Sequence, residues 1–197
     1  MAIVKKKPHS HKPTQRRATR KKTARKLVGI DAVAFLKSDH REVEGLFDQF
    51  EKAKAAERKR TIVGKICEAL TIHAKIEEEI FYPQAREALR RKGDNLLDEA
   101  EIEHEGIKRL VAELKNANPS EGLYDARVTV LSEYVKHHVK EEENDLFPKV
   151  RKSGLDTAKV GAELAARKEA LNGKPVEVPP SLLERGLRAV VGDRVQL

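Results

Sequence analysis

An all-α fold, an antiparallel up-down-up-down four-helix bundle, follows from three properties of this 197-residue chain. Apolar residues recur every three or four positions in four successive stretches, the period of a helix with one packed stripe. The stretches are joined by short breaks, and short connections make neighbouring helices antiparallel. Charged residues make up 37% of the chain and aromatics only 4%, as expected of a small bundle with heavily solvated outer faces.

The first helix starts at Asp31, a side chain suited to an N-cap, and runs to about Ala56. Its stripe is Val33, Leu36, His40, Val43, Phe47 and Phe50. The second spans about Arg58 to Tyr82, with Ile62, Ile66, Leu70, His73, Glu77 and Ile80/Phe81 on one face. Pro83 lacks an amide donor and should kink or end it. Gly93-Asp94-Asn95 reads as a turn. The third helix presents Leu97, Ala100, His104, Ile107, Val111 and Leu114. Asn116–Gly122, containing Pro119 and Ser120, is the next break. The fourth helix carries Tyr124, Val128, Leu131, Val135, His138, Glu142 and Leu146, and Pro148 marks its expected end. Residues 156–171 read as one modest helix packed on the outside. Residues 173–197, rich in Pro and Gly, form a tail to which no function is assigned.

Net charge is +8, but its distribution matters more than its size. Residues 1–30 hold eleven Lys or Arg and no acid, which leaves a net −3 on residues 31–197. Residues 1–28 lack apolar periodicity and should be a disordered basic arm. The expected organisation is therefore an arm over 1–28, a bundle over 29–152, and a C-terminal helix and tail over 153–197. Two readings of the arm stand: sequence-blind contact with nucleic acid through phosphates, or a solubilising or lipid-contacting tail. No aromatic interleaves its charges, so stacking on bases is unsupported. The single Cys67 cannot form an internal disulfide. No apolar run reaches the roughly 20 residues of a membrane span, and the N-terminus lacks the apolar region of a secretory signal. A cytoplasmic protein is the expectation.

Six ionisable residues interrupt the packed stripes: His40, His73, Glu77, His104, His138 and Glu142. Two of the stretches repeat one pattern. His73-x-x-x-Glu77 is followed by Phe81-Tyr82-Pro83, and His138-x-x-x-Glu142 by Phe147-Pro148, with each proline ten residues after its histidine. His and Glu four apart share a helix face, so both can reach one ion. Buried imidazoles and carboxylates are costly unless paired or metal-bound. Imidazole with carboxylate suits iron, manganese or zinc. One structural zinc needs four ligands, so six at one level indicate two metals, with the glutamates shared between them.

These residues, with His104 inside Glu103-His104-Glu105, resemble the hemerythrin-like, or HHE cation-binding, domains over about residues 31–150. The resemblance implies a non-haem di-iron centre in a four-helix bundle. It implies that Glu77 and Glu142 bridge the irons, that His40 and His73 serve one, and that His104 and His138 serve the other. Oxygen-carrying hemerythrins have a further histidine one turn after the third-helix histidine, where this chain has Lys108. Their last carboxylate is typically an aspartate five residues after its histidine, whereas Glu142 follows His138 by four. The pattern is closer to the four-histidine, two-glutamate branch, which includes oxygen-sensing, iron-sensing and peroxide-handling members. More coordination positions are then open to water, O2, peroxide or another small ligand.

Other residues receive one or two readings each. Lys108 either turns to the surface on its long stem or donates to a ligand at the centre. Glu101, one turn before His104, is a substitute carboxylate or a solvated one. His137 falls off the stripe and is expected to flank the site. Among Glu78, Glu79, Glu141 and Glu143, most should hydrate the outer face while one accepts the second N–H of a ligand histidine. Phe47, Phe81, Phe147 and Tyr134 read as core or boundary packing, and Tyr134, one turn before His138, is the tyrosine to touch the metals if any does. Cys67 reads as a small buried hydrophobe.

The functional expectation is a di-iron protein that binds O2 or a related ligand, or senses or handles iron or peroxide. Whether it turns peroxide over is left open. The rival is a metal-stabilised bundle that associates with nucleic acid through its arm. A ferritin-like site is disfavoured, because those sites use more glutamates and a Glu-x-x-His order.

Overall fold

A computed structural model describes residues 31–120 and 122–172 of the chain. The elements are α1 (Ala32–Lys52), α2 (Ala56–Ile76), a π-helical turn (Glu77–Phe81), α3 (Tyr82–Leu89), a 3-10 turn (Arg90–Lys92) and α4 (Asp94–Asn116). They continue with α5 (Tyr124–Glu141), a second π-helical turn (Glu142–Leu146), α6 (Phe147–Lys152) and α7 (Thr157–Leu171). There is no strand among the described residues. The basic arm and the tail beyond 172 lie outside them, so the expectations for both remain as stated from sequence.

The four long rods of the bundle are α1, α2 continued by α3, α4, and α5 continued by α6. In the bundle α1 packs on α2, α4 on α5, and α2 on α4. Asp31 caps α1 as expected, its Oδ1 accepting from the Ala34 amide at 2.9 Å. It also accepts from Thr157 Oγ1 at 2.6 Å and lies 3.1 Å from Arg151, which ties the start of α7 to the start of α1. Helix α1 ends at Lys52, four residues short of the expectation. Ala53-Lys54-Ala55 holds no helix breaker, so the reversal that lets α2 pack antiparallel on α1 ends the helix. The Ala53 amide bonds back to the Phe50 carbonyl. Between α3 and α4, a Cβ at Gly93 would stand 2.5 Å from Leu89 Cδ1, so only glycine fits this close turn.

Pro148 does not end its helix, contrary to expectation, and at Pro83, expected to kink or end its helix, the chain also stays helical. Each follows a π-helical turn that opens at the glutamate of the repeated motif. The Tyr82 amide bonds to the Glu77 carbonyl, and the Phe147 amide to the Glu142 carbonyl, each spanning five residues. One residue is thereby inserted, and each proline sits in the first turn of a renewed α-helix, where its missing amide costs little. The insertion also rotates the chain. Tyr82 and Phe147, five residues after the glutamates, come round to the inside and are both 1% exposed.

The core is in two parts. One contains Val43, Phe47, Ile66, Leu70, Ile107, Val111, Leu131 and Val135. The other contains Leu36, Ile76, Phe81, Leu97, Leu146 and Phe147, together with Val160 and Leu164 of α7. Histidines 40, 73, 104 and 138 fall between them along the bundle, forming a polar layer with apolar packing above and below. The expected outer helix is thus part of the core, and it packs on α1, α2 and the first π-helical turn. No helix among the described residues is long and apolar enough to cross a membrane.

Candidate metal centre

All six residues expected to bind metal come together in that layer, and none is more than 6% exposed. Each histidine turns Nε2 inward. His40 Nε2 stands 3.2 Å from His73 Nε2, and His104 Nε2 stands 3.1 Å from His138 Nε2. The histidines therefore form two pairs, one from α1 and α2, the other from α4 and α5. Each glutamate reaches into both. Glu77 Oε2 lies 3.2 Å from His73 Nε2 and 3.5 Å from His104 Nε2. Glu142 Oε2 lies 3.3 Å from His40 Nε2 and 3.7 Å from His138 Nε2.

The donor set fits metal. Both oxygens of Glu77 and Oε2 of Glu142 are fully buried and accept no hydrogen bond. Uncompensated buried carboxylate oxygens are costly, and a cation would satisfy them. Two nitrogens roughly 2.1 Å from a common ion at a right angle stand about 3 Å apart, close to the spacing of both pairs. His40, His73, Glu77 and Glu142 form one group with metal-ligand spacing, and Glu77, His104 and His138 another, so Glu77 belongs to both.

The outward nitrogens find carboxylates. His40 Nδ1 donates to Glu143 at 2.9 Å, His104 Nδ1 to Glu78 at 2.8 Å and His138 Nδ1 to Glu103 at 2.8 Å. His73 Nδ1 faces Asp39 Oδ2 at 3.6 Å, an ion-pair distance rather than a hydrogen bond. Such acceptors fix the tautomer that leaves Nε2 free for metal and raise its basicity. The sequence expectation of one accepting carboxylate understated this. Glu78 and Glu143 both accept, while Glu103 and Asp39, each one residue before a site histidine, were missed. Their position relative to the histidines was the available signal.

The packing of charge sets the electrostatics of the site. Burial lowers the His40 pKa, but Glu142, Glu77 and Glu143 outweigh it and raise it to about 9. Burial likewise works against Glu77 and Glu78 at His104, whose pKa also rises to about 9. Burial pushes the Glu142 carboxyl up, yet His138 and His40 hold it well below the usual carboxylate range. Glu78 is lowered by its hydrogen bond to His104, against some desolvation.

Tyr82, not Tyr134, is the tyrosine at the centre. Its hydroxyl donates to Glu142 Oε1 at 3.0 Å and lies 3.4 Å from His104 Nε2, and its ring stacks on His104 at 5.5 Å. Burial and the nearby Glu142 and Glu77 raise its pKa well above 10, so it keeps its proton. Tyr134 is 46% exposed, and its ring lies over Gly106. Tyr134 lies one turn before His138 but off the apolar stripe, whereas Tyr82 is carried inward by the π-helical turn, a rotation invisible to a uniform period. Phe147 is the counterpart of Tyr82, stacked on His40 at 5.9 Å.

The remaining expectations resolve simply. Lys108 extends outward to pair with Glu78 at 2.5 Å and so braces the carboxylate that holds His104. Glu101 is exposed and paired with Arg86 at 3.0 Å, away from the centre. Cys67 is buried, and burial raises its thiol pKa. His137 is off the centre, with its side chain 64% exposed.

A cavity of about 20 Å3 adjoins the histidines, walled by Val43, Leu70, Ile107, Val135 and Val139. It has room for a water-sized molecule and little more.

Comparison with known proteins agrees with this geometry. Residues 31–150 match the family model of the hemerythrin HHE cation-binding domain. A hemerythrin HHE cation-binding domain-containing protein from Mycobacterium kansasii has the same fold, with a TM-score of 0.64 at 24% identity. The match covers 73% of this chain and 88% of that one. A protein from Nostoc sp. named DNA nickase is 31% identical over 138 residues, or 69% of this chain. The matched region spans only 38% of that relative's length. With a family match over most of its length and a buried histidine–glutamate cluster able to hold metal, this chain belongs to the hemerythrin HHE cation-binding family.

Proposed function

We propose that the centre holds two non-haem irons and that the protein binds O2, peroxide or a ligand of similar size there, as a sensor, carrier or consumer of it. His40 and His73 would hold one iron, His104 and His138 the other, with Glu77 and Glu142 shared between them. Manganese and zinc suit the same donors and are the alternatives. Two irons would supply redox equivalents and coordination positions open to a small ligand. The observation that carries this reading is the convergence of four Nε2 atoms and two glutamates, each within 3.7 Å of a histidine from both pairs, beside a small apolar cavity.

The chain's own residues set the terms of binding. Val43, Leu70, Ile107, Val135 and Val139 exclude bulky or strongly polar ligands and limit water. Carboxylates on the outward nitrogens keep the imidazoles oriented as ligand and metal come and go. Tyr82 holds Glu142 Oε1 through a proton that stays on the hydroxyl. A reducing cytoplasm suits the free Cys67.

Anaerobic addition of Fe(II) followed by air tests the proposal. About two irons per chain and ligand-to-iron charge-transfer absorption are expected, and both should vanish in His73→Ala. About one metal per chain without that absorption would overturn it.

A second reading, contact with DNA through residues 1–28, is favoured by the eleven acid-free cations and by the name of the Nostoc relative. Removing residues 1–28 should abolish salt-sensitive retention on DNA while leaving metal loading unchanged. Retention that survives the deletion counts against an arm-based contact.

A further inference from the structure

Beside the buried centre, on the outer face of α4 and α5, three more side chains converge. His137 Nε2 stands 3.3 Å from Glu103 Oε1 and 3.3 Å from Glu141 Oε1. The three groups have metal-ligand spacing, His137 is exposed, and Glu103 and Glu141 are part-buried. We propose that Glu103, His137 and Glu141 form a separate, solvent-facing site for a divalent cation.

Three observations support a built site rather than a chance ion pair. The donor set is mixed, one imidazole with two carboxylates, which suits borderline divalent ions such as Zn2+ or Fe2+ and leaves positions for water. His137 and Glu141 are four apart on one helix, the same spacing as the two buried motifs, so both face one point. Glu103 is fixed before any ion arrives, because its Oε2 accepts from His138 Nδ1 at 2.8 Å while Oε1 turns to His137. Preset ligands lose less side-chain freedom on binding.

The other half of the molecule shows that the packing does not require these residues. The positions that match His137 and Glu141 in the first repeat are Ile72 and Ile76, both buried. Ile76 packs in the same cluster as Val160 and Leu164 of α7. Among the described residues no helix covers the corresponding face of α5, and His137 and Glu141 stand there instead. Glu103 thereby serves two sites, with one oxygen on the buried His138 and the other toward an outer ion.

Zinc titration of the full-length, metal-loaded chain tests the proposal, with the metal content of the buried centre measured first by elemental analysis. Calorimetry should register about one further Zn2+ per chain. His137→Ala and Glu141→Gln should each weaken that uptake at least about tenfold, with the earlier metal content unchanged. Glu105→Gln, which removes an exposed acid of the same helix outside the cluster, should leave it intact. No further uptake by the wild type, or equal uptake by the His137 and Glu141 variants, would overturn the outer site. Failure of the dinuclear reading would show separately, in the metal content before titration.

Discussion

The two halves of the bundle build the same polar layer and then treat its surroundings differently. His40 answers to His104, His73 to His138, Glu77 to Glu142, and Glu78 to Glu143. Each lone histidine is braced from the opposite half: His40 by Glu143, His104 by Glu78. Around this common frame the halves diverge. The first is closed by α7, which brings Lys168 to within 2.7 Å of Asp39 and Arg167 onto Glu79. The second is left uncovered by the described residues, with His138 Nδ1 held by Glu103 and its flank lined by His137 and Glu141. A repeated motif thus sets which atoms converge, while unrepeated neighbours set how firmly they are held.

The largest expected effect tests the common frame. Glu77→Ala and Glu142→Ala each remove a carboxylate that serves both histidine pairs, so each should weaken loading by more than about 100-fold. A variant that still fills one half at full affinity would break the equivalence of the two glutamates.

The next test is pH, because His40 and His104 occupy matching places and both have pKa values raised to about 9. Ligation needs neutral imidazole, so metal affinity should climb as pH rises toward about 9. Stability of the metal-free chain runs the other way. A raised histidine pKa stabilises fully below about 6.5 and loses that contribution as pH rises through about 9. The depressed Glu142 carboxyl stabilises above about 4.5 and loses it as pH falls toward about 2. Denaturant midpoints of the metal-free protein should therefore peak between about pH 4.5 and 6.5. Separate NMR titrations of the two histidines at clearly different pH would show that the halves are not electrostatically alike.

Most of the frame was legible from residues alone, since a helical period and a duplicated spacing placed all six buried groups on inner faces. What was not legible has a common cause. Pro83 read as a kink or an end and Pro148 as an end because the period assumes α-helix throughout, yet the π-helical turns absorb them and carry Tyr82 inward. Glu103 and Asp39 are off the apolar stripe, and although each directly precedes a site histidine, the imidazole it meets is on a neighbouring helix, a pairing that only three-dimensional packing shows. The role of α7 at the His73 side depends on a contact between residues 129 apart, beyond any local pattern.

Tyr82→Phe would make the halves more alike, because Phe147 already fills the matching place against His40. The ring packing remains, but Glu142 Oε1 loses its donor, at a cost of about 1–3 kcal/mol to the metal-free fold. Bound metal should offset part of this, so chemical denaturation with and without metal should show a smaller loss in the loaded protein. An equal loss in both would mean that the hydroxyl braces the fold rather than Glu142 at the centre.

The braces on the outward nitrogens should rank by distance. Glu103→Gln removes the charge on a 2.8 Å acceptor of His138 and should weaken metal binding by about 10- to 100-fold. Lys168→Ala acts only through Asp39, itself 3.6 Å from His73, and should cost less than about tenfold. The reverse order, measured by competition with a chelator, would show that the cover supplied by α7 matters more than direct hydrogen bonding.

Lys108→Ala should have the smallest effect. Its ammonium is about half exposed and touches Glu78, not the centre, and Glu78 keeps its bond to His104 without it. Exposed pairs of this kind contribute about 0–1 kcal/mol, so affinity should fall by less than about fivefold. The matching carboxylate in the other half, Glu143, has two cationic partners, Lys37 at 3.2 Å and Arg41 at 2.5 Å, so losing either leaves one in place. Removing both should therefore be needed to equal the Lys108 variant. A loss in Lys108→Ala as large as in Glu103→Gln would place the lysine at the ligand itself, because bracing a carboxylate from the solvent side cannot account for so much.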